Sequence, residues 1–349
     1  MNLIVTMIAP SKGGAGDYLE EVINKYQDFK LISPFNLNFS NELINKIFIA
    51  LQRLILKSTI LLLFPLIKLD KVIIYHPQTL GYWISTKLIE KASFVHYFVL
   101  DASIFCIKSY NHRNENVCTK CINNLSPFED CNFFPKKNTI SSYKKHREVI
   151  SANLNKIEFI VQTDGFKNIV KNLFGKTAIS TLLKMKFPSI KPYISKSLEK
   201  NYDFVFHGNN LDAKGSKYSL ELAESMPQNN FFFPFHIKNI SQNIDSKPVT
   251  WDKGLKDVIL KSKIALCPSI WSAPVEGAII KTMILKVPVA IHVNEYSASN
   301  TLFPKDSFIP LTGNIYEDLI ILQDYLKDDE KLLGVSNKAF EWINNYING

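Results

Sequence analysis

The longest apolar run in this 349-residue chain, "ILLLFPLI" at 60–67, is far shorter than the roughly 20 residues that a spanning helix needs, so no transmembrane segment is expected. The first ten residues lack the charged region and small-residue cleavage site of a secretory signal. They read as a first strand, and the expected location is the cytoplasm. Five cysteines would be reduced there, which favours burial or metal ligation over disulfides. A G-x-G-x-x-G fingerprint and a Walker lysine are both missing, so neither a dinucleotide nor ATP is favoured. No D-x-D pattern stands in a suitable place, and no catalytic metal is expected. The aromatic-plus-glycine signature of an RNA-recognition module is absent, and nucleic acid is not an expected partner. Internal repeats and low-complexity tracts are also missing. The net charge of +9 comes from lysine in a chain also rich in asparagine and isoleucine, and it leaves a polyanion or an anionic membrane open.

What is present is an alternation. Short β-branched and aromatic runs ("LIVTMI", "KVIIYH", "FVHYFVL", "IEFIVQ", "DFVFHG", "NFFFPF", "IALCPS", "VPVAIH") alternate with helical patterns, which predicts parallel sheets with helical crossovers. The runs are continuously apolar, as strands covered on both faces require. A proline-, serine- and lysine-rich stretch at 187–203 reads as a break. The expected organisation is residues 1–195, residues 196–330, and a terminal helix at 331–349 that docks back on the domains.

The stretch "PSIWSAPVEGAIIKTMILKVPVAI" (268–291) leads from the end of one strand to the start of another, through a helix beginning near Gly277. Loops at the carboxyl ends of strands form the ligand crevice of open α/β sheets. A helix start there suits phosphate, Gly277 admits a close ligand, and Glu276 could accept hydrogen bonds from sugar hydroxyls. Equally, Glu276 could only complement the helix dipole, and Lys281 could be a solvated surface charge.

These residues carry a resemblance. The stretch resembles the donor-binding segment of GT-B glycosyltransferases, especially retaining family 4, whose motif runs approximately P-S-x-x-E-x7-E and then G-x-P-V. Pro268, Ser269, Pro288 and Val289 match, while Ala273 and Lys281 replace the two glutamates. Glu276 instead resembles a subgroup written W-S-A-P-x-E-G-A, reproduced here from Trp271 and Ser272 through Gly277 and Ala278. In "FHGNNLDAKG", Gly208 and the pair Lys214–Gly215 match the segment that clamps the diphosphate, with Asn209 in place of the usual arginine. Lys214 also reads as an ordinary surface lysine. Gly13 and Gly14, in "APSKGGAGDYLEEV", match the glycine run facing the donor phosphates and the acceptor. "VHYFVLDASIFC" resembles members with H-D at a strand end; Asp101 holds the aspartate position and Leu100 replaces the histidine.

The resemblance implies an α/β protein of two Rossmann-like doubly wound domains facing each other across a cleft. It implies transfer of a sugar from a nucleotide-sugar donor, bound by the second domain, to a glycan or lipid-linked saccharide bound by the first, in surface polysaccharide or lipopolysaccharide synthesis. Lys214 and Lys281 would face the diphosphate, and Asp101 would position the acceptor or act as base. A nucleotide-sugar epimerase of the same fold, or a non-catalytic nucleotide-sugar-binding protein, are the alternatives.

Two further stretches carry expectations. Cys106, Cys118, Cys121 and Cys131 lie in a polar loop (106–135) and have the ligand count of a structural Zn²⁺ site; reduced or redox-active thiols and an iron–sulfur cluster are the other readings, with His112 a substitute ligand. Cys267 reads as a core residue. Residues 41–65 form an apolar helical pattern dotted with Lys46, Arg53 and Lys57. It fits a core helix of the first domain, or a peripheral contact with the inner membrane leaflet that would suit a lipid-linked acceptor.

Overall fold

The computed structural model describes residues 1–10, 13–34, 42–63, 66–113, 116–122, 137–183, 199–238 and 241–348. The chain forms two compact units: Met1–Tyr110 with Thr119–Pro188, and Asn111–Cys118 with Ser189–Gly349. The break expected at 187–203 falls largely outside the described residues.

The first unit runs β1 (Leu3–Val5), α1 (Gly13–Lys25), β2 (Lys30–Ile32), α2 (Glu42–Leu63), β3 (Leu69–Ile74), α3 (Pro77–Leu80), α4 (Tyr82–Lys91) and β4 (Ala92–Val99). A two-stranded hairpin of β5 (His112–Arg113) and β6 (Asn116–Val117) follows and belongs to the second unit. The first unit resumes with α5 (Lys137–Ala152), β7 (Ile157–Val161), α6 (Asp164–Phe174) and β8 (Ile179–Leu182). Its six strands pair in parallel in the order β2-β1-β3-β4-β7-β8. β3 and β4 bury Val72, Ile73, Ile74, Val95, Tyr97, Phe98 and Val99, as strands covered on both faces must.

The second unit contains β9 (Tyr202–Phe206), α7 (Ser216–Ser225), β10 (Phe231–Phe233), β11 (Ile244–Ser246), α8 (Leu255–Leu260), β12 (Ser262–Leu266), α9 (Gly277–Ile284), β13 (Val289–His292), α10 (Ala298–Thr301), β14 (Ile309–Leu311), α11 (Ile315–Leu326) and α12 (Asp329–Asn348). Its parallel order is β11-β10-β9-β12-β13-β14. The two-residue side-chain period divides its core in two. Phe204, Phe206, Phe231 and Phe233 pack on one face with Leu222 of α7, Leu322 of α11 and Leu332 of α12. Val205, Phe232 and Ala265 pack on the other with Leu255 and Ile259 of α8 and with Leu285. The terminal segment lies in α12, which buries Ala339 and Ile343, and the Trp342 ring meets Phe303 edge-on at 5.1 Å.

In each sheet the chain winds outward from a central strand and then returns to wind the other way. The reversal lies between β1 and β3 in the first unit, and between β9 and β12 in the second. Strands that diverge at such a point leave a crevice at their carboxyl ends, and ligands of open α/β sheets bind there.

Candidate functional site

The loops after β9 and β12 carry Lys214 and the stretch from Pro268 to Glu276, so both motifs lie at the reversal point of the second sheet. One glycine brings them together. Gly215 has φ +73°, and a Cβ on it would lie 2.2 Å from the Pro268 carbonyl oxygen. Only glycine allows both the left-handed backbone and that approach. The Ile270 amide donates to the Ala213 carbonyl at 3.0 Å and closes the contact. Gly215→Ala is therefore expected to cost at least about 3 kcal/mol, because the clashing partner is backbone. Gly208→Ala is expected to cost less: its Cβ would clash with the Phe206 ring, at 2.8 Å, and not with backbone, and would touch the Lys214 side chain at 3.6 Å. Thermal melts of the two variants check this, and equal melting temperatures would refute it.

The juxtaposition builds a buried charged cluster. Lys214 Nζ donates to Glu276 Oε1 at 2.7 Å, and Trp271 Nε1 donates to the same oxygen at 3.0 Å. The ammonium also lies 4.9 Å from the Trp271 ring centroid, a cation–π distance. The Lys214 and Glu276 side chains are 17% and 5% exposed, so this is an interior ion pair and not a surface one. The sequence placed Glu276 at a helix start, as an acceptor for sugar hydroxyls or a complement to the helix dipole. In the structure Glu276 occupies the N-cap of α9 but makes no capping hydrogen bond, because its carboxylate is drawn inward to Lys214 and Trp271. The first amides of α9 are thus left without a side-chain cap.

Lys281 is placed elsewhere. Its Nζ lies 5.0 Å from the Trp251 ring centroid, and Trp251 stacks on His207 with 5.9 Å between centroids and 8° between planes. His207 Nδ1 is 2.9 Å from Thr282 Oγ1, which donates its own proton to the Ala278 carbonyl. The imidazole is therefore the donor. Burial, and secondarily the Lys281 ammonium, pushes His207 down to about 3, so it is neutral at neutral pH.

Ser272 is fully buried and held by Asn111 of the inserted segment. The Asn111 amide nitrogen donates to Ser272 Oγ at 3.0 Å, and the Ser272 backbone amide donates to Asn111 Oδ1 at 2.9 Å. Asn111 also brackets the hairpin, its amide donating to the Cys118 carbonyl at 3.0 Å. Ser272 thereby fixes the loop that carries Trp271 and Glu276. Nothing local in the sequence pointed to Asn111, which pairs with a residue 161 positions away.

A small cavity of about 20 Å³, room for about one water, borders Glu276 and Trp271 and is also lined by Ser269, His292, Asn294 and Ser299. His292 Nε2 and Asn294 Oδ1 are buried there without a hydrogen-bond partner. Burial pushes His292 down to about 4. These two residues follow the matched Pro288–Val289 pair and were not singled out in the sequence. Of the other matched residues, Gly208 is half-buried and Asn209 is exposed in the loop after β9, and Gly277 and Ala278 open α9. Lys286, at the glycine of the G-x-P-V pattern, adopts φ +58°, so the left-handed turn persists without the glycine.

In the first unit, Gly13 and Gly14 open α1, while Ser11 and Lys12 lie outside the described residues. Asp101 is buried just beyond β4. Its Oδ1 accepts the Ser103 amide at 2.8 Å, and its Oδ2 lies 3.3 Å from His76 Nε2. His76 stands beyond the end of neighbouring β3, at φ +55°, with its Nδ1 buried and unpartnered. An imidazole thus stands beside Asp101, although Leu100 holds the histidine position of the resembled motif. Cys106, Cys118 and Cys121 form no disulfide among the described residues, and Cys131 lies outside them. Among the described residues, no three His, Cys, Asp or Glu side chains gather as a metal site. Burial, then the Glu276 charge, pushes the Cys267 thiol up, and its Sγ donates to the His207 carbonyl at 3.5 Å, as a core residue.

No protein-family model and no curated protein matches the chain. Solved structures match its fold. Sucrose-phosphate synthase from Thermosynechococcus elongatus aligns with a TM-score of 0.66 and 10% identity over 99% of this chain and 94% of that one. HepE of Anabaena, solved with UDP and glucose, aligns at 0.65 and 11% identity, covering 99% and 94%. The fold is GT-B. TarM aligns at 0.57 and 17% identity over 84% of this chain but only 58% of its own, so the chain spans little more than half of TarM.

Proposed function

We propose that the chain is a glycosyltransferase that moves a sugar from a nucleotide-sugar donor to a glycan or lipid-linked saccharide, in surface polysaccharide synthesis. The observation that carries the reading is the Lys214–Glu276–Trp271 cluster at the reversal point of the second sheet. Its support is chemical. A departing nucleoside diphosphate gathers negative charge, and Lys214, Lys281 and the uncapped start of α9 are the positive groups near that end of the sheet. Both hydrogen bonds of Glu276 use Oε1, which leaves Oε2 for a sugar hydroxyl. The unpartnered His292 Nε2 and Asn294 Oδ1 are further groups for a polar ligand. A donor nucleotide of the UDP type agrees with HepE, solved with UDP and glucose.

On this reading the first unit holds the acceptor. Asp101, oriented by the Ser103 amide and by His76, receives the acceptor hydroxyl's hydrogen bond; it takes the proton only if the anomeric configuration inverts. Membership of retaining family 4 would make that base unnecessary. Thermal-shift titration with UDP-, GDP-, ADP- and CMP-sugars, followed by assay of released nucleotide, tests the proposal. One donor is expected to raise the melting temperature and to turn over once acceptor is supplied. Binding without turnover would favour a non-catalytic protein. Turnover to an isomeric nucleotide-sugar without acceptor would favour an epimerase.

The zinc implied by the cysteine spacing is a separate proposal. Elemental analysis of the purified chain is expected to give about one zinc per molecule, lost in Cys118→Ser or Cys121→Ser. A metal-free chain would leave these cysteines as reduced thiols.

A further inference from the structure

The helix α2 presents its apolar side chains outward. Leu56 and Ile60 are buried, but Ile44, Ile47, Ile49, Leu51, Leu54, Ile55, Leu61 and Leu62 are between 45% and 71% exposed. At 100° per residue all of these except Ile49 fall within one sector about 120° wide, which the buried pair lies outside; Ile49 lies on the side of the buried pair. Leu54, Ile55, Ser58, Thr59 and Leu62 line a shallow apolar depression on that surface. Leu66, beyond the helix, continues the patch at 83% exposure. A patch of this kind, on a helix with every third or fourth position apolar, marks an interaction site.

Charge identifies the partner. Arg53 and Lys57 are both exposed and flank the apolar sector on one side, with Lys57 over the Trp83 ring at 5.1 Å. Lys68 follows at the end of the patch. The sequence has no carboxylate between Glu42 and Asp70. A second copy of the chain would bring its own Arg53 and Lys57 to this surface, with no acid in the segment to pair them. A bilayer bearing anionic headgroups supplies both an apolar interior for the leucines and a counter-charge for the cations. Among the described residues no helix is long and apolar enough to cross a membrane, so α2 would lie in the interface plane.

We infer that α2 is a membrane-docking helix which inserts Ile47, Leu51, Leu54, Ile55 and Leu62 into an anionic lipid surface, with Arg53 and Lys57 at the headgroups. On this inference α2 is not a core helix of the first unit. It does not depend on the sugar-transfer reading, and its test involves no sugar.

The test is co-sedimentation of the full chain with vesicles of phosphatidylcholine alone and with vesicles carrying about a third phosphatidylglycerol, at low and high salt. Binding to the anionic vesicles is expected. Leu54→Ser with Leu62→Ser should weaken it at least about tenfold, since each exposed leucine contributes that order to partitioning. Arg53→Gln with Lys57→Gln should weaken it several-fold and flatten the salt dependence. All four positions are exposed, so circular dichroism melts should be unchanged. No binding to anionic vesicles at low salt overturns the inference, as does binding that the double-leucine variant leaves intact. A dimer in light scattering that the leucine variant converts to monomer would give the face to a second copy instead.

Discussion

Glu276→Ala is expected to lower sugar transfer by at least about a hundredfold, and to destabilise the second unit by about 3 kcal/mol. Two losses combine. The substitution removes the carboxylate that lies 2.7 Å from the Lys214 ammonium, itself 17% exposed, and it takes from the Trp271 indole an acceptor at 3.0 Å. Removing one partner of a buried ion pair costs far more than the intact pair contributes. For a unit of this size the loss is on the order of 10 °C in melting temperature. Glu276→Gln separates stability from chemistry. Its amide oxygen still accepts from Trp271 and from Lys214, so it should melt closer to the parent, while the negative charge that fixes Lys214 is gone and turnover stays low. Normal turnover in Glu276→Gln would remove Glu276 from the donor site. An Ala variant as stable as the parent would show that the buried pair contributes nothing to folding.

Acid is expected to unfold the second unit well above the pH at which its carboxylates are protonated. His207 and His292 are buried and neutral, held down to about 3 and about 4 against an ordinary value of 6.5. The unfolded chain therefore binds protons that the folded unit refuses. Stability is complete above about pH 6.5 and is lost as pH falls toward the folded values. Between pH 7 and pH 5 each histidine removes about 2 kcal/mol, or about 4 for the pair, a large share of an ordinary domain's stability. His146 in the first unit behaves alike: hydrogen-bonding distances of 3.1 Å to Thr86 Oγ1 and 2.9 Å to Tyr97 OH enclose it, and burial, then the Arg147 charge, pushes it down to about 3. Urea titrations at pH 7 and pH 5 measure the loss. His207→Gln and His292→Gln should each flatten the slope, and a stability unchanged between the two pH values would contradict the assignment.

The strands legible in the sequence were the interior ones. The runs around 3–5, 69–74, 92–99 and 157–161 in the first sheet, and around 202–206, 231–233, 262–266 and 289–292 in the second, are apolar because helices cover both their faces. Within the two parallel sheets the strands that were missed, β2, β8, β11 and β14, are the edges, and the short hairpin of β5 and β6 was missed as well. An edge strand has one hydrogen-bonding neighbour and partly exposed faces, and Lys30–Ile32 and Ile179–Leu182 accordingly carry exposed side chains that break the pattern. The apolar content of α2 was visible, but its direction was not. Periodicity shows that a helix has two faces, and only the surrounding chain decides which one is covered.

The sequence by itself determined the α/β alternation, the strand–loop–helix unit around Gly277, and the pairing of Lys214 with Gly215, because each rests on a local property: β-propensity, helical period, or a backbone angle that glycine alone adopts freely. Tertiary structure decided the rest. It turned Glu276 inward to Lys214, took Ser272 into the grip of Asn111, set Lys281 against Trp251 instead of in the Lys214 cluster, and supplied His76 to Asp101 from a neighbouring strand. Each of these is a contact between residues far apart in sequence, brought together by strand order or, for Asn111, by the inserted hairpin, and no short window along the chain contains both partners.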